Sequence, residues 1–289
     1  MNNKKTYNTK IKTYKVLFWS LLLVNIFTCF LFIKYRSSFV DMYKKLTILY
    51  ISMRQGNIYN NNSDTLKSKK IELITSKGIV RANKKNNEIV KIVFIGNSIA
   101  YSKSNKDIGW EGNWGMAAQK ADNAYPQLLS SMIANKLDKD VYYYIYNLAS
   151  LSQGRGYNKK IHTQLNSILP NIIVIQLGDN FTINQLPLFK ENFLKFQELI
   201  PKTRCQIITT PFYPNEDKNQ FFNDLSTSRK LYFVDLSNIL ASAKNPDLYL
   251  AKSENIFLNP GIKVHPGNSG MKKIADRIFP TIQKCLEPN

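Results

Sequence analysis

Histidine is almost missing from this sequence: His162 and His265 are the two among 289 residues, beside three cysteines, Cys29, Cys205 and Cys285. Nitrogen and sulfur ligands so few and so scattered form no metal-binding spacing, and neither a metal nor another cofactor is expected. Cys205 and Cys285 could pair outside the cytoplasm, but their distant spacing is no disulfide framework, and buried free thiols are the expectation. Acidic residues are also scarce, 20 Asp+Glu against 40 Lys+Arg, for a formal net charge of +20. Such an excess first points to nucleic acid or an acidic surface. Its distribution removes that reading: residues 1–90 carry 17 basic side chains against 4 acidic, and the remainder 23 against 16. The charge sits mainly at the front of the chain, and no nucleic-acid partner is expected.

Long hydrophobic runs are absent but for one, "VLFWSLLLVNIFTCFLFI", Val16 to Ile33. It carries no charge, and its 18 residues just span a hydrocarbon core. Basic residues precede it, no small-residue cleavage site follows, and the tail favours a cytoplasmic N-terminus. The expected organisation is a basic cytoplasmic tail (1–15), a transmembrane signal anchor (16–33), a polar juxtamembrane stalk (34–87) and a folded domain (88–289) outside the cytoplasm. Within the stalk, "IELITSKGIV" reads as an extended piece.

From residue 88 onward, short runs rich in β-branched residues alternate with amphipathic stretches. Strands are predicted over 89–95, 141–148, 171–177, 205–212 and 231–236, and helices over 124–137, 157–169, 188–200, 236–243 and 267–286. This alternation implies crossover connections. The expected fold class is α/β: a three-layer α/β/α sandwich around a mainly parallel, flavodoxin-like five-stranded sheet, preceded by one transmembrane helix.

In such sheets, sites gather at the carboxyl ends of the strands. After the first strand stand Gly96, Asn97 and Ser98; after the second, "NLASLSQGRG"; after the third, "GDN", Gly178 to Asn180. "GIKVHPGNSGM", carrying His265, precedes the last helix. Taken singly, Ser98 could cap a following helix and Asn180 could be a turn residue. Taken together they make one chemistry: a serine hydroxyl needs a base to take its proton, and the developing oxyanion needs fixed donors. G-x-S-x-G is absent at Ser98, so the nucleophile elbow of ordinary α/β-hydrolases is not indicated.

The order of these motifs over residues 89–286 resembles the SGNH (GDSL-type) hydrolase family. The resemblance implies that Ser98 is the nucleophile, His265 its base, and Asn180 an oxyanion donor beside the N–H groups of Ser98 and Gly154, with Gly156 the alternative glycine. One position departs from the pattern. The family's acid stands three residues before the histidine, where this chain has Ile262. Either a backbone carbonyl orients His265 as a dyad, or Glu254 or Asp235 supplies the carboxylate, or catalysis is lost. Asp179 is given no catalytic role.

"DIGWEGNWGMAAQKADNAYP", Asp107 to Pro126, places Trp110 and Trp114 shortly after the nucleophile. Their rings suit stacking on a sugar, or packing onto the domain. Asn180-Phe181-Thr182 and Asn61-Asn62-Ser63 match N-glycosylation acceptors. A glycan on Asn180 would remove the proposed donor, which favours a bacterial envelope over a eukaryotic secretory lumen. The expected function is an envelope-facing serine esterase that removes an acyl group, such as acetyl, from a carbohydrate or cell-surface polysaccharide. The alternatives are an O-acyltransferase acting on a polysaccharide and a catalytically silent polysaccharide-binding module.

Overall fold

A computed structural model describes residues 73–82 and 88–287. The predicted tail, the span 16–33 and most of the stalk lie outside the described residues. Among the described residues no helix is long and apolar enough to cross a membrane.

Six strands form one sheet: β1 (Ile74–Val80), β2 (Ile89–Gly96), β3 (Asp140–Asn147), β4 (Ile172–Ile175), β5 (Cys205–Thr209) and β6 (Tyr232–Val234), in the order β1-β3-β2-β4-β5-β6. Strands β2 to β6 run parallel and keep the expected flavodoxin-like order. The expected count of five is corrected to six. Strand β1 falls inside the predicted stalk and pairs antiparallel with β3, so the sheet begins before the boundary placed at residue 88. Gly78 lies opposite Tyr143, whose hydroxyl would sit 2.2 Å from a Cβ built at that glycine. The aromatic ring fills the space the glycine leaves on the sheet edge. Past the end of β1, Arg81 pairs with Asp140 at 2.5 Å.

Among the described residues, four helices of more than two turns connect the parallel strands, α1 (Tyr125–Leu137), α2 (Lys160–Ile168), α3 (Leu186–Gln197) and α4 (Glu216–Arg229), and a fifth, α5 (Asn268–Leu286), follows the last strand. Helix α4 was not among the predicted ones, because its apolar stripe is short. It buries Phe221, Phe222 and Leu225 and starts on an Asn215 cap that accepts from the Lys218 N–H. On one face of the sheet, Ile92 and Phe94 pack with Leu129 and Ile133 of α1 and with Ile274, Ile278 and Ile282 of α5. On the other, Val93 and Ile95 meet α2, α3 and α4 through Leu165 and a set of phenylalanines, Phe189, Phe193, Phe196 and Phe222 among them. Apolar side chains on both faces explain why these strands read as continuous hydrophobic runs.

Cys205 of β5 and Cys285 of α5 are joined as a disulfide, with Cα atoms 5.6 Å apart. The expectation of free thiols is therefore corrected. Helix α5 carries Cys285 across the sheet face to the start of β5, a proximity that the sequence separation does not reveal.

Candidate active site

Strand β2 is buried to its end and delivers Gly96 against Ala100, whose Cβ would lie 2.6 Å from a Cβ at that position. Only glycine lets the chain turn so closely here. Asn97 makes the turn: its Oδ1 accepts from the Ile99 N–H at 2.8 Å, and its carbonyl accepts from the N–H groups of Ala100 and Tyr101. A turn follows, not a helix, so Ser98 caps nothing. Its Oγ lies 2.8 Å from His265 Nε2, across 167 residues of sequence.

His265 follows a one-turn helix, Pro260–Lys263, that starts on an Asn259 cap. Its Nδ1 lies 2.7 Å from the Gly261 carbonyl, which can only accept, so the ring proton belongs on Nδ1. Nε2 is left to accept from the Ser98 hydroxyl. Burial pushes the imidazole pKa down to about 4, with the Gly261 carbonyl opposing. The ring is neutral at neutral pH, the form a general base needs.

Among the options for the missing acid, the backbone carbonyl is the group in contact with the ring. Glu254 is engaged elsewhere, accepting from the Asn268 N–H at 2.5 Å and from Gln119 Nε2 at 3.1 Å. Asp235 accepts from Thr210 Oγ1 and Ser237 Oγ. Ile262, at the acid's position, is buried in a cluster with Trp110, Met116, Ala117 and Ala251.

Asn180 stands past the end of β4, 2% exposed, and its Nδ2 has no hydrogen-bond partner among the described residues. A buried amide left unpaired costs about 1–3 kcal/mol, which fits a donor reserved for an incoming oxygen. The loop beneath it is firmly held. Lys218 Nζ donates to the carbonyls of Gly178 at 2.9 Å and Phe181 at 2.6 Å, and lies over the Phe181 ring. Burial draws the Lys218 pKa down to about 8, against the opposing charge of Asp179. Asp179, buried with its pKa raised by desolvation, accepts from Asn97 Nδ2 at 2.9 Å. The loops carrying Ser98 and Asn180 are thereby tied through their preceding residues. Sequence reasoning missed Lys218, which belongs to no motif and stands on the helix that went unpredicted.

Two expectations are corrected. The Gly154 N–H donates to the Leu151 carbonyl at 3.0 Å, inside a turn that needs the glycine's φ of +71°, and is not free for an oxyanion. The Ser98 N–H, by contrast, meets no backbone carbonyl among the described residues. Trp110 is 2% exposed, donates its indole N–H to the Ser102 carbonyl at 3.2 Å, and packs edge-on to Trp114. It presents no face for a sugar. Trp114 is half-buried and donates to the Ala118 carbonyl at 2.8 Å. The tryptophan loop is a support. Its Met116 N–H returns to the Ser98 carbonyl at 2.8 Å, and its rings wall in Ile262.

No family model matches this chain, and no curated protein matches it. Among solved structures, it is similar to a Bacteroides ovatus protein described as a GDSL-like lipase, at 16% identity and a TM-score of 0.40, over 68% of this chain and 53% of that one. It is also similar to an acetyl xylan esterase, AlAXEase, at 14% identity and a TM-score of 0.39, over 67% of this chain and 100% of that one. A family two carbohydrate esterase from Clostridium thermocellum in complex with cellohexaose gives 16%, 0.41, and coverages of 68% and 64%. The matched region spans about half the length of the first of these. Likeness at this level leaves chemistry and substrate to be argued from the residues of this chain.

Proposed function

We propose that this chain is an SGNH-type serine esterase working through a Ser98–His265 dyad. The observation that carries the reading is the 2.8 Å contact between Ser98 Oγ and the Nε2 of an imidazole whose other nitrogen is held by the Gly261 carbonyl. In the acylation step, His265 Nε2 takes the Ser98 proton as Oγ attacks the ester carbonyl. Asn180 Nδ2 and the Ser98 N–H donate to the resulting oxyanion. The intermediate collapses to an acyl-enzyme as His265 returns the proton to the departing alkoxide. Water then attacks the acyl carbonyl, His265 takes its proton and returns it to Ser98 Oγ as the acyl–Oγ bond breaks, and the acid is released.

The Gly261 carbonyl fixes the tautomer, which is much of what a triad carboxylate does; losing that function in a serine protease costs about 10⁴ in turnover. What the carbonyl lacks is a full charge to stabilise the imidazolium. Ser98, His265 and Asn180 are all at most 5% exposed, which supports a small acyl group such as acetyl. A carbohydrate as the alcohol part rests on the family resemblance, since the face of Trp110 is covered. An envelope location rests on the apolar run Val16–Ile33, and the Cys205–Cys285 bond agrees with an oxidising compartment.

Acetate release from acetylated sugars by the full chain tests the proposal. We expect Ser98→Ala and His265→Ala each to lose at least about 10³-fold in kcat. Release by Ser98→Ala at the wild-type rate would overturn it.

A further inference from the structure

We propose that Asp179 and Tyr213 are positioning residues that hold the base loop against the nucleophile loop, one step removed from the contact a triad acid would make. The proposal rests on the esterase reading for its kinetic consequence, but its geometry stands alone. Each of the three site residues is preceded by a member of one buried network: Asn97 before Ser98, Asp179 before Asn180, Val264 before His265. Asp179 is the hub. Its Oδ2 accepts from Asn97 Nδ2 at 2.9 Å and Gln176 Nε2 at 2.6 Å, and its Oδ1 from the N–H groups of Phe212 at 2.8 Å and Tyr213 at 3.2 Å. The Tyr213 hydroxyl then donates to the Val264 carbonyl. One chain of hydrogen bonds therefore runs from the residue before the nucleophile to the residue before the base.

The network is arranged so that a carboxylate is the only side chain of this size that completes it. Four N–H donors converge on two oxygens. Asparagine at 179 would turn an N–H₂ group toward donors and leave at least one of them unpaired. Asn97 and Gln176 are fully buried, and Asp179 and Tyr213 are 5% and 4% exposed, so water cannot readily substitute. Among the described residues no carboxylate touches the His265 ring: Glu254 is held by Asn268 and Gln119, Asp235 by Thr210 and Ser237, and Asp179 by the donors just named. Lys218, the other buried charge, is spent on the carbonyls of Gly178 and Phe181. Orientation of the base thus draws on Gly261 within its own segment and, from outside it, on Tyr213 and on the Ala251 N–H, which donates to the His265 carbonyl at 2.9 Å.

Tyr213→Phe removes one hydroxyl and is the variant that decides. In the full chain with isotope-labelled histidine, His265 is assigned by its absence from His265→Ala, leaving His162 as the other signal. Wild-type His265 is expected to titrate near 4. In Tyr213→Phe the loosened loop admits water, and the titration is expected to rise by at least about one pH unit toward the ordinary 6.5. Acetyl-ester turnover should fall about tenfold with KM within about twofold, as expected for misplaced catalytic groups. An unchanged His265 titration in Tyr213→Phe would overturn the proposal, whatever the activity. A shifted titration in a chain that cleaves no ester would uphold the network and discard the esterase. Asp179→Asn, where it folds, should lose more turnover than Tyr213→Phe; an Asp179→Asn enzyme with wild-type kinetics would also overturn the proposal.

Discussion

The two sides of the Ser98–His265 contact are built from opposite materials. On the nucleophile side, Asn97, Asp179 and Gln176 are polar, buried and joined by directed hydrogen bonds. On the base side, Ile262 is wedged among Trp110, Met116, Ala117 and Ala251, with no polar partner for its side chain. The difference explains the missing acid. Position 262 is not a vacancy where a carboxylate used to be needed; it is an apolar anchor, and the ring's orientation has passed to the carbonyl of its neighbour Gly261. A polar hub sets the nucleophile and oxyanion loops in register and reaches the base loop through the Tyr213 hydroxyl on the Val264 carbonyl, while apolar packing anchors the base loop at Ile262.

That division can be broken from either side. The largest effect should come from the reserved donor on the polar side: Asn180→Ala is expected to lower kcat on acetyl esters about 10²–10³-fold. Melting should not fall, because the Asn180 Nδ2 has no partner among the described residues and its unpaired burial is itself a cost. On the apolar side, placing at 262 the acid that the resembled family carries there should cost stability rather than raise turnover. Ile262→Asp puts a carboxylate among tryptophan and methionine, at an expected cost of about 3–5 kcal/mol in denaturant unfolding, while Ile262→Val should cost about 1 kcal/mol. An Ile262→Asp protein with wild-type stability and higher turnover would show that the cluster is not the anchor described.

Cys205→Ser with Cys285→Ser tests a staple remote from both sides. It should lower stability by about 2–4 kcal/mol in chemical denaturation and leave kcat within about twofold. The smallest effect concerns pH. Because the neutral imidazole is the base and its pKa is drawn down to about 4, kcat/KM should be level from neutral pH to about 5 and fall below about 4. The same depressed pKa makes the unfolded chain the better proton acceptor between about 6.5 and 4, so stability should fall as pH drops through that window.

The parallel strands were legible because burial on both faces leaves unbroken runs such as Ile172–Ile175, and each run pointed to the turn that follows it. Ser98 and Asn180 were legible for the same reason, since what is proposed for each depends on side-chain type and on position after a strand, while His265 was legible as the histidine of the loop before the last helix. Gly154 failed because a backbone N–H looks the same in the sequence whether it is free or, as here, turned back to Leu151. Gly261 could be named only as "a carbonyl", since every residue has one. Trp110 was ambiguous because an aromatic in a glycine-rich loop suits a ligand and a cluster equally well. Strand β1 was legible as an extended piece but not as part of the sheet, because its lysine- and asparagine-rich surroundings read as a stalk. Asp179 and Tyr213 form no motif, and their connection to Val264 exists only once β4, β5 and the base loop are side by side.

The most direct measurement is capture of the nucleophile: treat the full chain with a fluorophosphonate and map the modified peptide. The account expects a single adduct on Ser98, abolished in Ser98→Ala and greatly slowed in His265→Ala. Absence of an adduct from a folded chain that also releases no acetate, or an adduct on Ser98 that forms equally fast without His265, would contradict it.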